Sequence, residues 1–279
     1  MNLGRYGVWI SKNQVDASRA REIEALGYGA IWVGASPTDD LSPVPEVLAA
    51  TERIVVATGV VNIWATPAEV AAESYHRLAA AHPDRFLLGV GIGHREANAG
   101  YRSPYATIVE YLDRLDALGV PESGRVLAAL GPRVLWLAGD RTRGAHPYFT
   151  SPGHTRFART ELGPGPLLAP EQKVVLNTDA VAARAIARPT VAYYLGRVNY
   201  RNNLKRFGWS DADLADGGSD AVVDALVIHG DAARLAAGLR AHLDAGADHV
   251  CVQVLGGPDA DPVPALAAVA RELGLVPAG

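Results

Sequence analysis

The sequence predicts an α/β fold, a (β/α)₈ or TIM barrel, formed as one domain over residues 1–279 with an insertion between its seventh and eighth strands. Two observations predict it. Short β-branched, apolar runs alternate with longer helical segments along the whole chain, which is typical of a parallel sheet covered by helices. Eight such runs can be counted, and a chain of 279 residues has a suitable length for one large barrel.

The eight runs define the predicted strands. They cover residues 5–10, 30–34, 54–61, 86–92, 126–130, 145–149, 173–176 and 249–255. Strands of a barrel are covered on both faces, so they are expected to be apolar throughout rather than alternating. The third run, which is apolar at almost every position, fits this expectation.

Helix start signals fix the register of the alternation. Residues 66–69 form a capping box with Pro67 at the first helical position, where its missing N–H costs nothing. Ser103 and Pro104 open a second helix in the same way, and Asp231 is placed to cap a third. The helices between these strands are therefore expected to begin at defined residues.

The stretch from about 198 to 230 departs from the alternation. It is polar and aromatic, and it ends in a pair of glycines at 217 and 218. An excursion of this length is often functional, which favours a lid or a dimer element. A surface helical hairpin fits the same pattern, and the sequence leaves both interpretations open.

Composition excludes several classes of function. Lys and Arg number 26 against 30 Asp and Glu, and no basic run suited to nucleic acid is present. The opening residues lead directly into the first strand, and no apolar run of membrane-spanning length follows, so a cytoplasmic location is expected. The single cysteine, Cys251, excludes an intramolecular disulfide and a multi-cysteine metal site and is expected to be buried.

In a barrel, the active site forms from residues at the carboxyl ends of the strands. The sequence offers candidates after seven of the eight strands: Ser11, Ser36, Asn62, Trp64, Gly93, His94, Gly131, His146 to Tyr148, and the glycines 256 and 257. His94 is the prominent candidate, because an imidazole at a strand end can exchange protons near neutral pH. A solvated histidine at the rim and, for His146, a packing role are the alternatives.

Glycines stand at alternate positions 89, 91 and 93 of the fourth strand. Their missing side chains would let a flat ligand approach the backbone, but tight packing inside the barrel explains them equally well. No dinucleotide-binding fingerprint, P-loop, serine-hydrolase elbow or metal-binding spacing of histidines is found. Gly131, Pro132 and Arg133 begin a helix whose N-terminus suits a phosphate.

Six motifs in order then resemble a known family. They are GYGAIWVG at 27–34, VVATGVVN at 55–62, DRFLLGVGIG at 84–93, GPR at 131–133, LAPEQ at 168–172 and GADHV at 246–250. Together they resemble the luciferase-like monooxygenase superfamily, and the sequences of the motifs are most similar to its F420-dependent oxidoreductase branch. The resemblance covers nearly the whole chain.

The resemblance implies a bulge in the third strand, with a cis peptide between Gly59 and Val60 that backs a deazaflavin ring. It also implies the residues around coenzyme F420: Gly59, Val60, Val61 and Asn62 behind the ring, Ile92, Gly93 and His94 at its edge, Ala129, Leu130, Gly131 and Arg133 toward the phosphate, and His146, Pro147 and Tyr148 nearby. Hydride transfer at C5 of the deazaflavin is the implied chemistry.

Two positions depart from the family pattern. Some F420 dehydrogenases of the family carry a histidine after strand two and a glutamate after strand four as their acid–base pair. This chain has Ser36 and His94 there. These two residues are therefore predicted as the catalytic pair, with His94 as the group that handles the proton.

Other interpretations are kept beside this one. An FMN-dependent monooxygenase of the same fold is the alternative enzyme, and an F420-binding protein without turnover is the alternative outside enzymes. Trp9 and Trp64 are predicted to contact the substrate, with a core role as the alternative. The resemblance also implies a homodimer.

Overall fold

A computed structural model describes residues 1–37, 40–97, 103–257 and 260–275. The strands are β1 Tyr6–Ser11, β2 Ala30–Gly34, β3 Val55–Thr58, β4 Val61–Asn62, β5 Phe86–Gly91, β6 Arg125–Leu127, β7 Gly144–Ala145, β8 Leu167–Leu168, β9 Glu171–Leu176, β10 Val227–Gly230 and β11 Val250–Val254. The helices are α1 Ala17–Ala25, α2 Val44–Ala50, α3 Ala68–Ala81, α4 Pro104–Ala117, α5 Pro132–Arg141, α6 Pro152–Leu162, α7 Ala180–Leu195, α8 Val198–Arg206, α9 Asp220–Leu226, α10 Ala232–Asp244 and α11 Val263–Leu273. Short 3₁₀ turns lie at Arg95–Ala97 and Glu122–Gly124.

The strands form one parallel sheet that curls into a barrel. Along the sheet the order is β10-β9-β11-β1-β2-β3-β5-β6-β7-β8, with β4 paired to β5. Only Ala169 and Pro170 separate β8, at one end of this path, from β9, which lies next to the other end, so β8 and β9 belong to one extended segment and β10 is an additional strand beside β9. That segment donates Glu171 N–H to the Pro147 carbonyl on one side at 2.9 Å, and Cys251 N–H reaches the Pro170 carbonyl on the other at 2.9 Å. The predicted barrel is confirmed.

In three places the number of strands differs from the prediction, and β6 and β7 are shorter than the predicted runs at 126–130 and 145–149. The predicted third strand is interrupted, because β3 ends at Thr58 and the chain resumes as β4 after a cis peptide between Gly59 and Val60. This is the bulge that the resemblance implies. The strands β8 and β10 were not predicted; β10 pairs with β9. Both are short apolar runs, and periodicity alone cannot distinguish such runs from the end of a helix or a loop.

The helix signals are confirmed at two of three positions. Helix α4 begins at Pro104 after Ser103, and the Asp231 carboxylate accepts a hydrogen bond from Arg234 N–H at 2.9 Å. The capping box at 66–69 was wrong. Pro67 has an extended backbone (φ −57°, ψ 150°) and occupies the N-cap itself, so α3 begins one residue later, without a side-chain cap.

Apolar residues pack in three regions. The largest lies between the sheet and the helices outside it. A second fills the barrel interior with alternate strand residues, among them Trp9, Trp32, Val126 and the fully buried Cys251. A third lies beneath α7, α8 and α9 and includes Tyr200. Within the described ranges, no helix is both long and apolar enough to cross a membrane.

Candidate active site

A cavity of about 750 Å³ lies at the carboxyl ends of the strands. Fourteen of the predicted site residues line it: Trp9, Ser36, Gly59, Val60, Asn62, Ile92, Gly93, His94, Ala129, Leu130, Gly131, Arg133, His146 and Tyr148. They come from the ends of six strands, so the parallel arrangement brings together residues that are up to about 140 positions apart in sequence. The roles assigned to these residues stay predictions.

The strand-end candidates Ser11, Gly256 and Gly257 lie outside this lining and line a separate, smaller cavity. Three residues of the predicted cofactor and substrate set also lie outside it. Val61 is fully buried in the main core. Trp64 packs against the same core, and its backbone N–H donates to Asn62 Oδ1 at 3.1 Å. Pro147 lies beside the barrel closure, where its carbonyl accepts the Glu171 N–H.

Two side chains fix the bulge between β3 and β4. Trp9 Nε1–H donates to the Gly59 carbonyl at 3.1 Å, and Ser36 Oγ donates to the Val60 carbonyl at 3.3 Å. A Cβ on Gly59 would lie 2.9 Å from Trp9 Nε1. Both carbonyls of the bulge are thus held, one by a side chain of β1 and the other by a side chain that follows β2, and Gly59 leaves a wall without a side chain beside the cavity.

Packing explains the alternating glycines of β5 at least as well as ligand access. A Cβ on Gly89 would lie 2.0 Å from the Thr58 carbonyl oxygen, and one on Gly91 would lie 2.7 Å from Val60 Cγ2. Gly93 has φ +63°, which disfavours other residues there. Gly91 and Gly93 also line the cavity, so close packing and a side-chain-poor wall coincide.

His94 lies against two tyrosine rings of the segments that follow β9. Its ring centroid is 6.4 Å from that of Tyr194 and 5.5 Å from that of Tyr200. Burial lowers the pKa of His94 below its usual 6.5, a hydrogen bond with Asn199 opposes this shift, and the Arg197 charge adds to it. The imidazole is therefore neutral at pH 7.

His146 is completely enclosed but lines the cavity. Its Nδ1 lies 2.7 Å from the Ala169 carbonyl oxygen, and its ring stacks on Trp32 with centroids 4.2 Å apart. A carbonyl only accepts, so Nδ1 carries the proton. Burial lowers the pKa of His146 to about 4, which leaves Nε2 with a lone pair. That atom is buried and has no hydrogen-bond partner among the residues that the structure describes.

An aromatic wall of the cavity adjoins His94. Tyr194 OH donates to Tyr148 OH at 3.0 Å, and Tyr148 OH donates to Gln253 Oε1 at 2.9 Å. The Lys173 ammonium lies 3.6 Å from the centroid of the Tyr148 ring and pairs with Glu171 Oε2 at 2.8 Å. The wall is thus held by a hydrogen-bond chain and by a fully buried ion pair behind it.

One end of the cavity is cationic. Arg133 lies in the first turn of α5, whose N-cap is Gly131, and Arg206 lies at the last residue of α8. Both guanidinium groups line the cavity, and no carboxylate is among its described lining residues. Helix N-termini and arginines bind phosphate and carboxylate groups, so this end suits an anion.

Sequence reasoning missed several lining residues. They are Tyr105 of α4 and, from the end of α7 through α8, Tyr193, Tyr194, Asn199, Tyr200, Asn202, Asn203 and Arg206. The signal was present, because most of them fall in the polar and aromatic stretch interpreted as a lid, a dimer element or a hairpin. Among the described residues, no group of His, Cys, Asp and Glu is arranged to hold a metal ion.

Comparisons with solved structures find this fold in several enzymes. An F420-dependent secondary alcohol dehydrogenase in complex with an F420–acetone adduct superposes with a TM-score of 0.76 at 12% identity, covering 99% of this chain and 100% of that one. The coenzyme F420-dependent tetrahydromethanopterin reductase from Methanopyrus kandleri gives 0.69 at 15%, covering 98% and 99%. A type II Baeyer–Villiger monooxygenase from Pseudomonas putida in complex with FMN gives 0.67 at 15%, covering 97% and 98%.

Sequence comparisons give a narrower result. No curated protein sequence matches this chain. The model of the luciferase-like monooxygenase family matches residues 16–124, from α1 to the turn before β6. The resemblance to the luciferase-like monooxygenase family, which the motifs predict, is therefore confirmed by this match and by a fold shared with F420-dependent enzymes along nearly the whole chain.

Proposed function

We propose that this protein is an F420-dependent oxidoreductase that transfers a hydride between C5 of the deazaflavin and a small organic substrate. The observation that carries this proposal is the shape and charge of the cavity. A wall without side chains at Gly59, Gly91 and Gly93 leads to a cationic end at Arg133 and Arg206. F420 is a flat ring joined to a phosphate and glutamate carboxylates, which matches that arrangement.

The residues present fit such a ligand. Sites for cofactors and small molecules have volumes of roughly 300–1,000 Å³ and are mostly apolar with a few placed polar groups. Tyrosines, small apolar residues and two arginines give this cavity that character. The buried, unpartnered Nε2 of His146 lies at the wall formed by Gly59, where a ring N–H or O–H would satisfy it.

Each group then has a proposed task. When bound, F420 supplies or accepts the hydride at C5. Gly59, Val60 and Asn62 form the wall behind its ring, while Trp9 and Ser36 hold the two carbonyls of that wall. Arg133, Arg206 and the N-terminus of α5 bind the anionic tail. These contacts orient the ring before a substrate arrives.

His94 is the proposed proton-handling group. Because its pKa is lowered by burial, it is neutral at pH 7 and an imidazole nitrogen can take the proton of a substrate hydroxyl as the hydride leaves. The tyrosines at 194 and 200 shield this position from water. In the reverse direction the same ring returns the proton.

FMN is the alternative cofactor. It is also a flat ring with a phosphate, and a neighbour of this fold is in complex with FMN. A monooxygenase would then be the function. Two arginines at the cavity end favour the more anionic F420, whose tail carries carboxylates in addition to the phosphate.

We include a homodimer in the proposal, and light scattering at micromolar concentration tests it.

The deciding experiment is a fluorescence titration of the purified protein with F420 and, separately, with FMN at fixed salt. Saturable binding of F420 alone supports the proposal and justifies screening for F420H2-dependent reductions. Binding of FMN alone, with consumption of oxygen, moves the function to the monooxygenases. Binding of F420 without turnover of any screened substrate favours a binding protein, and binding of neither overturns the proposed cofactor.

A further inference from the structure

The inner wall of the cavity presents one fixed hydrogen-bond acceptor. His146 is held at both ends of its ring system. Its Nδ1–H donates to the Ala169 carbonyl at 2.7 Å, and its face stacks on the Trp32 indole with an angle of 15° between the planes. Trp32 is itself fixed, because its Nε1–H donates to His249 Nε2 at 3.1 Å. The ring of His146 therefore cannot rotate without breaking these contacts.

The remaining nitrogen points at the predicted position of the ligand ring. A Cβ built on Gly59 would lie 3.4 Å from His146 Nε2. This atom is fully buried and has no hydrogen-bond partner within the described part of the chain, while the residue lines the cavity. A buried polar atom without a hydrogen bond destabilises a protein, so its native partner is expected to be a ligand or an ordered water molecule.

The chemistry of that partner follows from the tautomer. With its proton on Nδ1, His146 offers only a lone pair at Nε2, and it can pair only with a donor. Becoming a donor there would require protonation, which burial opposes, as do the nearby Lys173 charge and His249. An ether, a methyl group or a carbonyl placed at this point would leave the acceptor unpaired.

We infer that His146 is a positioning residue whose Nε2 accepts a hydrogen bond from an N–H or O–H group on the buried edge of the bound ring. This inference rests on the proposed function. An oxidised deazaflavin of the F420 type with a neutral 8-hydroxyl carries two such donors, that hydroxyl at one edge and N3–H at the other. Oxidised FMN carries only N3–H, since methyl groups occupy its other edge. His146 thereby fixes which edge of the ring is buried and contributes to the choice between the two cofactors.

Three probes without the anionic tail separate the donors. They are the 8-hydroxy-5-deazaflavin chromophore at the riboflavin level, its 8-methoxy derivative and its N3-methyl derivative. In the wild type, we expect one modification to weaken binding about 10- to 100-fold, because it leaves the acceptor unpaired. In His146→Phe that modification should cost less than about 3-fold. His146→Gln, which keeps an acceptor, should retain part of the discrimination.

A spectroscopic measurement covers the case in which His146→Phe does not fold. In the wild type labelled with ¹⁵N-histidine, the Nε2 resonance of His146 should shift upfield when the chromophore saturates the protein. His249 is the matched control, because its Nδ1 lies 2.8 Å from the Gly4 carbonyl and its Nε2 accepts from Trp32. When the chromophore binds, the chemical shifts of the His249 nitrogens should change by no more than about a tenth of the change seen for His146.

The outcomes separate this inference from the function on which it rests. Binding of the chromophore with an unchanged His146 resonance, or with equal losses in the wild type and His146→Phe, overturns the inference and leaves the cofactor standing. Absence of binding by the chromophore and by intact F420 overturns both. Discrimination at the 8-position identifies the hydroxyl as the donor, and discrimination at N3 identifies the imide.

Discussion

Among single residues, His94 determines how the proposed chemistry responds to pH. Burial lowers its pKa below 6.5, so the neutral form that accepts a proton persists to a lower pH than in water. For F420-dependent oxidation, we expect kcat/KM to be level near pH 7 and to fall only below 6.5. In His94→Gln, this fall of kcat/KM at acidic pH should disappear, and kcat should be lower than in the wild type by about 100-fold or more. The dissociation constant for F420 should stay within about 3-fold of the wild-type value.

His76 is the control for this measurement. It is exposed on α3, with Nε2 2.8 Å from the Leu118 carbonyl, and lies outside the cavity. His76→Gln should keep the wild-type pH profile. Full turnover by His94→Gln with cofactor binding intact would remove His94 from the mechanism.

The buried pair of Glu171 and Lys173 is the second prediction at this scale. Both side chains are fully enclosed, and burial raises the pKa of Glu171 and lowers that of Lys173. Lys173→Met leaves a carboxylate without a partner and should lower the free energy of unfolding by about 3–5 kcal/mol at pH 7. Because protonated Glu171 needs no cation, this loss should shrink as the pH falls toward 5.

The double variant Glu171→Gln/Lys173→Met is the control, since it removes both charges. Urea denaturation should show most of the lost stability restored. A double variant as unstable as Lys173→Met would mean that lost packing against Tyr148, not the unpaired charge, is the cause.

Many site residues were predictable from strand ends and motifs, including the Gly59–Val60 bulge, Ser36 and His94. The Glu171–Lys173 pair was not predicted, although residues two apart on a strand share a face. Val61 and Pro147 were predicted in the site because the resemblance implies cofactor contacts along 59–62 and 146–148, and Trp64 because it follows the third predicted strand. At each, the direction of the backbone rather than the residue type decides whether the side chain reaches the cavity, and one sequence does not give that direction.

Among the elements, α8 contributes most to the cavity beyond the strands. It follows α7 directly, and its first residue is tied to the barrel because Val198 N–H donates to Glu96 Oε1 at 3.1 Å. Its Tyr200 packs on His94, and Arg206 at its end lies with Arg133 at the cationic end. The first part of the polar and aromatic stretch from about 198 to 230 thus forms a wall of the cavity, and its aromatic and polar side chains line that wall.

This arrangement predicts how the two helices bind the cofactor tail. Both arginines are exposed, so Arg133→Ala and Arg206→Ala should each weaken F420 binding only about 2- to 5-fold at low salt, and less at 0.5 M salt. The chromophore without its tail should bind all variants equally. Arg271→Ala on α11, outside the cavity, is the control, and an equal effect on the tail-free chromophore would contradict the assignment.

Helix starts were predicted well where a side chain caps the helix, as at Asp231, and less well where proline leads. At α3 and α4 the same Ser/Thr-Pro pattern gives two results, with helix bounds differing by one residue relative to the proline. The proline ring restricts its own φ to values that both a helix and an extended N-cap accept. Packing of the following turn therefore decides the register.

For the whole molecule, closure of the barrel was predicted from alternation and length, while the cofactor was not established. The eight-strand ring needs only apolar strands, covering helices and short connections, all of which are visible in sequence. F420 and FMN share a flat ring and a phosphate. A protein distinguishes the two cofactors by a few hydrogen-bonding groups and charges that line its cavity. These groups come from segments that are distant in sequence, so the choice of cofactor cannot be predicted from the sequence alone.

Buried histidines predict how the whole fold responds to acid. Burial lowers the pKa of His146, His154 and His249 to about 4 and that of His242 to about 3. Unfolded histidine binds a proton below about pH 6.5, so in this window the unfolded state takes up more protons. The free energy of unfolding should fall from pH 6.5 toward 4, by about 1.4 kcal/mol per pH unit for each such histidine.

Denaturation in urea at half-unit pH intervals checks this slope. His249→Gln should reduce the slope by about 1.4 kcal/mol per pH unit, which is the contribution of one proton. A stability that stays level between pH 6.5 and 4.5 would show that these histidines are protonated in the folded protein.

The only cysteine of the chain, Cys251, lies in the barrel interior, and burial raises the pKa of its thiol. A thiol reagent needs an accessible thiolate, so the folded protein is expected to be inert to it. Labelling of Cys251 by a maleimide would then occur only when the barrel opens, and the labelling rate would report how often the barrel opens. A cysteine introduced at Asn202 on α8 would likewise accept a fluorophore without competition, giving the cavity a reporter of its own.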